Sequence, residues 1–373
     1  MSTDQREPDT STRIQPVSLG IQDLSYSFDG KTRVLENISL EIPPGSFCTL
    51  LGASGSGKTT LLRLIAGLIP AESGRIVIGD RDVTELPTQK RDIGFVFQNY
   101  ALFPHYTVAR NLEFPLRLRK VDKRRRKTLI DETLEIVSLS QFKDRHPAQL
   151  SGGQQQRVAV ARALIYQPSV MLLDEPLGAL DKRLRQQLGR NLREIQQRTG
   201  ITAVYVTHDQ EEAFALSDQI VLMEHGRIQQ AGDPEMLYRR PRNQFVASFL
   251  GESNLWSGDV VEVSGTHAHL DIGGDVIKCG FESSVSRGEN RTCSLRPEDV
   301  HLTSTGGIRD TDGPAIRAAV RSVTFLGSRM SVQLDAVDAD LQILAEVPAM
   351  PERPHPGDIF DVSWNAGDAF ITE

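Results

Sequence analysis

One stretch, "SFCTLLGASGSGKTT" (46–60), limits what this chain can fold into. An apolar run ends in glycines, and "TTLLRLIAGL" (59–68) then takes up helical spacing. Residues 52–59 satisfy G-x-x-x-x-G-K-[ST] between a strand and a helix, the setting in which that pattern makes a phosphate loop. Gly52, Gly55 and Gly57 let the chain curl, so that backbone N–H groups from Ala53, Ser54 and Ser56 on to Thr60 surround phosphate oxygens. Lys58 brings a point charge to the β- and γ-phosphates, and Thr59 a hydroxyl for Mg²⁺.

A phosphate loop needs an acidic strand end beside it. "SVMLLDE" (169–175) offers one, with Asp174 for the Mg²⁺ shell and Glu175 free to polarise an attacking water as general base. "ITAVYVTHD" (201–209) is a further apolar strand and ends in His208, while Gln98 follows the strand of "IGFVFQNYALFP" (93–104). Either residue alone is an ordinary polar side chain. Strand ends of a parallel sheet converge on one edge, so Gln98 is expected to complete the Mg²⁺ shell and His208 to bridge the γ-phosphate and water.

"LSGGQQQRVAVARAL" (150–164) opens a helical stripe with a serine and two glycines. Ser151 and Gln154 form the two halves of a capping box, but glycine in the first turn costs about 1 kcal/mol against alanine. Bare backbone at Gly152 and Gly153 therefore points to an anion approaching a helix N-terminus.

Size and charge bound the rest. A chain of 373 residues predicts two or three domains. A hydrophobic content of 39% and a charged content of 24% describe a globular protein, and a net charge of −7 gives no footprint for nucleic acid. No apolar run reaches the roughly 18 to 20 residues of a membrane span. The opening residues lack the apolar core of a secretory signal, so 1–17 is expected to be a disordered polar tail. Cys48, Cys279 and Cys293 have no metal-site spacing and read as reduced thiols. Up to about Phe249 strands alternate with helices, the α/β signature, with a helix-rich stretch at 110–165. Its basic run "RKVDKRRRK" (119–127) reads as a solvated face and receives no function. After Gly251, "DVVEVSGTHAHLDI", "RMSVQLDA" and "DIFDVSW" alternate apolar and polar residues, as half-exposed antiparallel strands do.

Taken in order, the phosphate loop, Gln98, "LSGGQ" (150–154), "LLDEP" (172–176), "ALD" (179–181) and His208 resemble the ATPase subunits of ATP-binding cassette (ABC) transporters. The resemblance implies a P-loop cassette at 18–249 with a helical subdomain at 99–165, binding ATP and Mg²⁺. It gives Phe28 in "YSFDG" the aromatic position that stacks on adenine, with Tyr26 as a rival, and adds Asp181 to the nucleotide site. It also implies a head-to-tail homodimer, in which Ser151, Gly152, Gly153 and Gln154 of one chain close on the γ-phosphate held by the other. "LGESNLWSGDV", "SLRPEDVHL", "TFLGSRMSVQLDA" and "GDIFDVSWNAGDAFI" look like the β domain (TOBE, similar to the oligonucleotide-binding fold) of bacterial importer ATPases, placed at 250–373. "GESN" and "VSWNAGDA" lean toward the spermidine/putrescine type, with ferric iron the alternative. The partners so implied are two transmembrane permease subunits and a periplasmic or lipid-anchored solute-binding protein, at the cytoplasmic face of the inner membrane. Two other classes are weighed: a soluble ABC ATPase of DNA repair or translation, which would carry coiled coils or a second cassette, and a regulator that has lost its chemistry, against which Lys58, Asp174, Glu175 and His208 stand.

Overall fold

The computed structural model describes residues 15–28, 30–178, 181–305, 315–350, 352–365 and 367–373, and they fall into two units, one ending at Pro234 and one running Glu235–Glu373. The 1–14 part of the expected tail, and Ala179 and Leu180 of "ALD", lie outside the described residues.

The first unit runs β1 (Leu19–Ser27), β2 (Arg33–Ile42), β3 (Phe47–Leu51), α1 (Lys58–Ala66), β4 (Ser73–Ile78), β5 (Arg81–Asp82), β6 (Ile93–Val96), α2 (Val108–Leu118), α3 (Lys123–Ile136), α4 (Gly152–Leu164), β7 (Val170–Asp174), α5 (Lys182–Thr199), β8 (Thr202–Thr207), α6 (Gln210–Leu216), β9 (Gln219–Glu224) and β10 (Arg227–Gly232). Its main sheet has the order β10-β9-β3-β8-β7-β6, parallel from β9 through β6 and antiparallel only at β10. Alternate residues of each strand feed opposite cores. Met171, Leu173, Ala203 and Tyr205 pack among α2–α5, whereas Val170, Leu172, Val204 and Val206 pack with α1 beneath the second sheet. A strand buried on both faces has no polar side to show, which is why these segments read as unbroken apolar runs.

The remaining strands of the first unit do not join that sheet. β1, β2, β4 and β5 form a separate antiparallel sheet in the order β2-β1-β4-β5. One face of it closes the second core through Leu19, Ile21, Leu35 and Ile76, so a sheet covers that side of the cassette's main sheet. Alternation along the chain does not say which strands pair.

The second unit takes up α7 (Pro234–Arg239) for most of its length, α8 (Gln244–Phe249), and ten strands among the described residues: β11 (Asn254–Ser264), β12 (His267–Ile272), β13 (Asp275–Gly280), β14 (Asn290–Leu295), β15 (His301–Ser304), β16 (Ala315–Phe325), β17 (Arg329–Ala336), β18 (Gln342–Pro348), β19 (Ile359–Ser363) and β20 (Phe370–Thr372). The strands β11-β12-β13-β20-β14 close into a barrel, which removes exposed edges. The strands β15-β19-β16-β17-β18 form a further sheet. The two share one core around Trp256 and Trp364, whose rings lie 5.4 Å apart. The half-exposed alternation read from the sequence is therefore real, with a five-stranded barrel of oligonucleotide-binding type at its centre.

Candidate active site

Parallel pairing decides where the functional side chains meet. β3, β6, β7 and β8 point the same way, so the phosphate loop, Gln98, Asp174–Glu175 and His208 all leave the sheet at its C-terminal edge. Register sharpens this: Asp174 lies opposite Val206, two residues before His208.

Glycine is required in the loop by contact and by backbone angle. Gly52 has φ +156° and a Cβ there would sit 2.2 Å from the Met223 carbonyl oxygen; Gly57, at φ +101°, would meet Leu35 at 2.6 Å. Ala53, Ser54 and Gly55 are exposed at the crest, while Ser56 is buried and Thr60 lies in the first turn of α1. Lys58 is buried, and its ammonium donates to the carbonyls of Gly52 and Ala53 at 2.8 Å each and to Ser56 Oγ at 3.2 Å. Burial lowers its pKa, and the Glu175 and Asp174 carboxylates oppose that shift.

Thr59 Oγ1 donates to Asp174 Oδ1 at 3.1 Å. Burial raises the Asp174 pKa, and the Thr59 hydrogen bond only partly offsets it. A half-buried carboxylate held above its ordinary range beside a hydroxyl gains from a hard cation, and oxygen donors of this kind suit Mg²⁺ when phosphate oxygens complete the shell. The residues present therefore fit the ion.

Glu175 takes φ +42°, a left-handed backbone uncommon for glutamate and frequent at functional sites. Its Oε2 accepts from Gln98 Nε2 at 3.3 Å, and its Oε1 lies 3.6 Å from His208 Nδ1. Gln98, Glu175 and His208 thus touch in sequence, although the chain separates them widely. His208 itself is largely exposed.

The remaining expected residues stand elsewhere. Ser151 accepts from Gln154 N at 3.4 Å while Gln154 Oε1 accepts from Ser151 N at 3.0 Å, the capping box expected of that sequence. Gly153 is buried, and a Cβ on it would meet Leu188 of α5 at 2.8 Å. Its bareness has a reason inside the chain, which the sequence reading placed wholly in an approaching phosphate. Asp181 caps α5 by accepting from Leu184 N at 3.0 Å. Phe28 is 67% exposed with its edge against Tyr26 at 5.2 Å, while Tyr26 packs into the second core, so Phe28 is the aromatic face open to a ligand.

Sequence reasoning missed the support of His208. Glu212 is buried and accepts from Tyr205 Oη at 2.6 Å and Thr207 Oγ1 at 2.9 Å, while Thr207 Oγ1 also accepts from Asp209 N at 3.0 Å. Burial first, then the Glu212 carboxylate, pushes the Tyr205 phenol well above its ordinary value. The signal lay in spacing: Glu212, Ala213 and Leu216 share the buried face of α6.

A phosphate loop beside an acidic strand end, both on the C-terminal edge of a parallel sheet, defines a P-loop nucleoside triphosphatase. Comparison with known proteins narrows this. The ABC transporter family matches residues 35–178, and the TOBE domain matches 293–371. Phe28, Asp181 and His208 fall outside those two spans. Among curated relatives, the spermidine/putrescine import ATP-binding protein PotA of Vibrio cholerae is 43% identical over 82% of this chain and 80% of its own length. That of Thermobifida fusca is 45% identical over 82% and 79%, and that of Chromobacterium violaceum 41% over 92% and 96%. Among solved structures, cbiO1 from Clostridium perfringens, part of the ABC transporter complex cbiONQ, superposes with a TM-score of 0.56 at 30% identity, covering 59% of this chain and 89% of that one. The chain belongs to the family of ABC transporter ATP-binding subunits. It binds ATP and hydrolyses it.

Proposed function

We propose that the chain powers uptake of a polyamine, spermidine or putrescine, as the ATPase subunit of a bacterial ABC importer. The observation that carries this is the set of spermidine/putrescine import relatives, 41% to 45% identical over about four-fifths or more of both chains. No helix among the described residues is long and apolar enough to cross a membrane, which fits a subunit that works on separate permease chains at the cytoplasmic face, supplied by a solute-binding protein outside.

The geometry and the family resemblance support the following residue roles. Lys58 exchanges three neutral acceptors of its own loop for phosphate oxygens, with the backbone N–H groups of 52–60 around them. Phe28 stacks on the adenine. Thr59, Asp174 and Gln98 are the residues that would hold Mg²⁺, which when bound neutralises charge on the phosphates. Glu175 takes a proton from the attacking water, and His208 orients that water against the γ-phosphate. Gln98 and His208 already flank the two oxygens of Glu175, so the base is oriented before the reaction. Ser151, Gly152, Gly153 and Gln154 cover the γ-phosphate of a second copy, and Asp181 reaches the same seam, so two copies make two complete sites.

The test is transport. Cells lacking their own polyamine uptake, given this chain with its permease and binding protein, are expected to accumulate labelled spermidine or putrescine, and Glu175→Gln to abolish it. Uptake of ferric iron with none of polyamine would overturn the solute assignment and leave the ATPase reading standing.

A further inference from the structure

We infer that the corner joining α2 to α3 is a docking surface for anionic lipid headgroups. Arg117, Lys120, Lys123, Arg124, Arg125 and Lys127 are all exposed, and no described carboxylate pairs with any of them. The other two cations there are engaged: Arg126 donates to Glu113 at 3.0 Å and to the Val121 carbonyl at 2.9 Å, and Arg119 lies 3.7 Å over the Tyr166 ring. Those bonds fix the corner and leave the six free charges on its outside.

Two local rules of helix chemistry are broken within this one segment, and an apolar side chain stands exposed beside them. The position after the C-cap of α2 takes φ +57°, where glycine is the usual residue, and it is Lys120, whose N–H donates to the Arg117 carbonyl at 3.0 Å. The first turn of α3 has no acid and carries cations against the positive end of the helix dipole. Asp122, the one carboxylate of the turn, caps the helix by accepting from Arg124 N and Arg125 N. Leu118, between Arg117 and Arg119 in the chain, is 69% exposed, and no large apolar side chain among the described residues is more so. The Lys120 backbone and the cationic first turn oppose folding stability, and such conflicts with local preference gather where a function requires them.

The composition favours a bilayer surface over another macromolecule. An exposed apolar side chain next to Lys and Arg in the chain suits the depth profile of a membrane interface, with the leucine among acyl chains and the cations at phosphate level. The net charge of −7 disfavours an extended polyanion such as nucleic acid. This inference rests on the reading of the chain as a membrane-associated transporter subunit.

The test is flotation of the full chain with vesicles. A basic side chain near an anionic surface is worth about a fivefold gain in partitioning. The parent is expected to float with vesicles containing about a third phosphatidylglycerol, to stay behind with phosphatidylcholine alone, and to be released by 1 M salt, where the Debye length falls to about 3 Å. The fourfold variant K123Q/R124Q/R125Q/K127Q is expected to lose binding by at least about fiftyfold, and Leu118→Ser severalfold, with ATPase activity in solution unchanged. The variant R81Q/K90Q, which removes exposed cations from elsewhere on the unit, is expected to bind as the parent does. Equal binding to both vesicle types, parental binding by the fourfold variant, or tighter binding to duplex DNA than to vesicles would each overturn the inference. ATPase activity without vesicles reports on the functional reading separately.

Discussion

At the scale of single residues, Glu175 and Asp174 are adjacent carboxylates in different surroundings, and the difference supports the separate roles proposed for them. Glu175 is held from both sides by Gln98 and His208 and is open to a water. Glu175→Gln is expected to bind ATP as the parent does and to hydrolyse it at least about 100-fold more slowly, the scale of a lost general base; single-turnover kinetics with labelled ATP measures it. Asp174 is raised by burial, and the sign of its effect on stability follows. A carboxyl with a folded pKa above its unfolded one destabilises the fold increasingly as pH rises from the ordinary carboxylate range through the raised value. Asp174→Asn keeps an acceptor for Thr59 and removes the charge. The variant is expected to melt at the parental temperature near pH 3.5, above it at pH 7.5, and to have lost turnover. Thermal denaturation at the two pH values checks this, and a lower melting temperature at pH 7.5 would contradict it.

At the scale of elements, α4 shows what a sequence can and cannot disclose. Its capping box was legible because Ser151 and Gln154 are three residues apart and no distant partner is involved. The reason for Gly153 was not, because Leu188 lies on a different helix. The same contrast separates the phosphate loop, written in eight consecutive residues, from the buried Glu212 behind His208, whose partners Tyr205 and Thr207 are set by strand β8. The second sheet belongs with Glu212, because its strand pairing is decided by packing onto α1. Gly153→Ala is expected to destabilise the chain, since its Cβ would lie 2.8 Å from the Leu188 side chain, a cost of about 1–3 kcal/mol for an overpacked contact. Adding Leu188→Ala is expected to relieve that contact, so that the two changes together cost less than the sum of the separate ones. A double-mutant cycle by urea denaturation reads the coupling, and strict additivity would show that Leu188 does not confine Gly153.

At the scale of the whole molecule, the proposed head-to-tail dimer divides each site between two copies: a loop with Lys58 and its acidic edge from one, and the helix N-terminus at Ser151 from the other. Packing Leu188 under Gly153 makes substitution there ambiguous, so Ser151, which is exposed, is the residue to change. Ser151→Arg is expected to leave ATP binding within twofold of the parent and to abolish turnover, because the arginine stands where a second copy must close. Lys58→Ala is expected to abolish turnover by weakening the hold on the β- and γ-phosphates. The most direct measurement mixes these two inactive chains and isolates the dimer containing one of each by two different affinity tags. Head-to-tail pairing puts both lesions on one composite site and leaves the other intact, so the purified mixed dimer is expected to recover about half the parental ATPase rate by the two-fold symmetry of such an assembly. A verified mixed dimer with no activity above that of either inactive parent would contradict it.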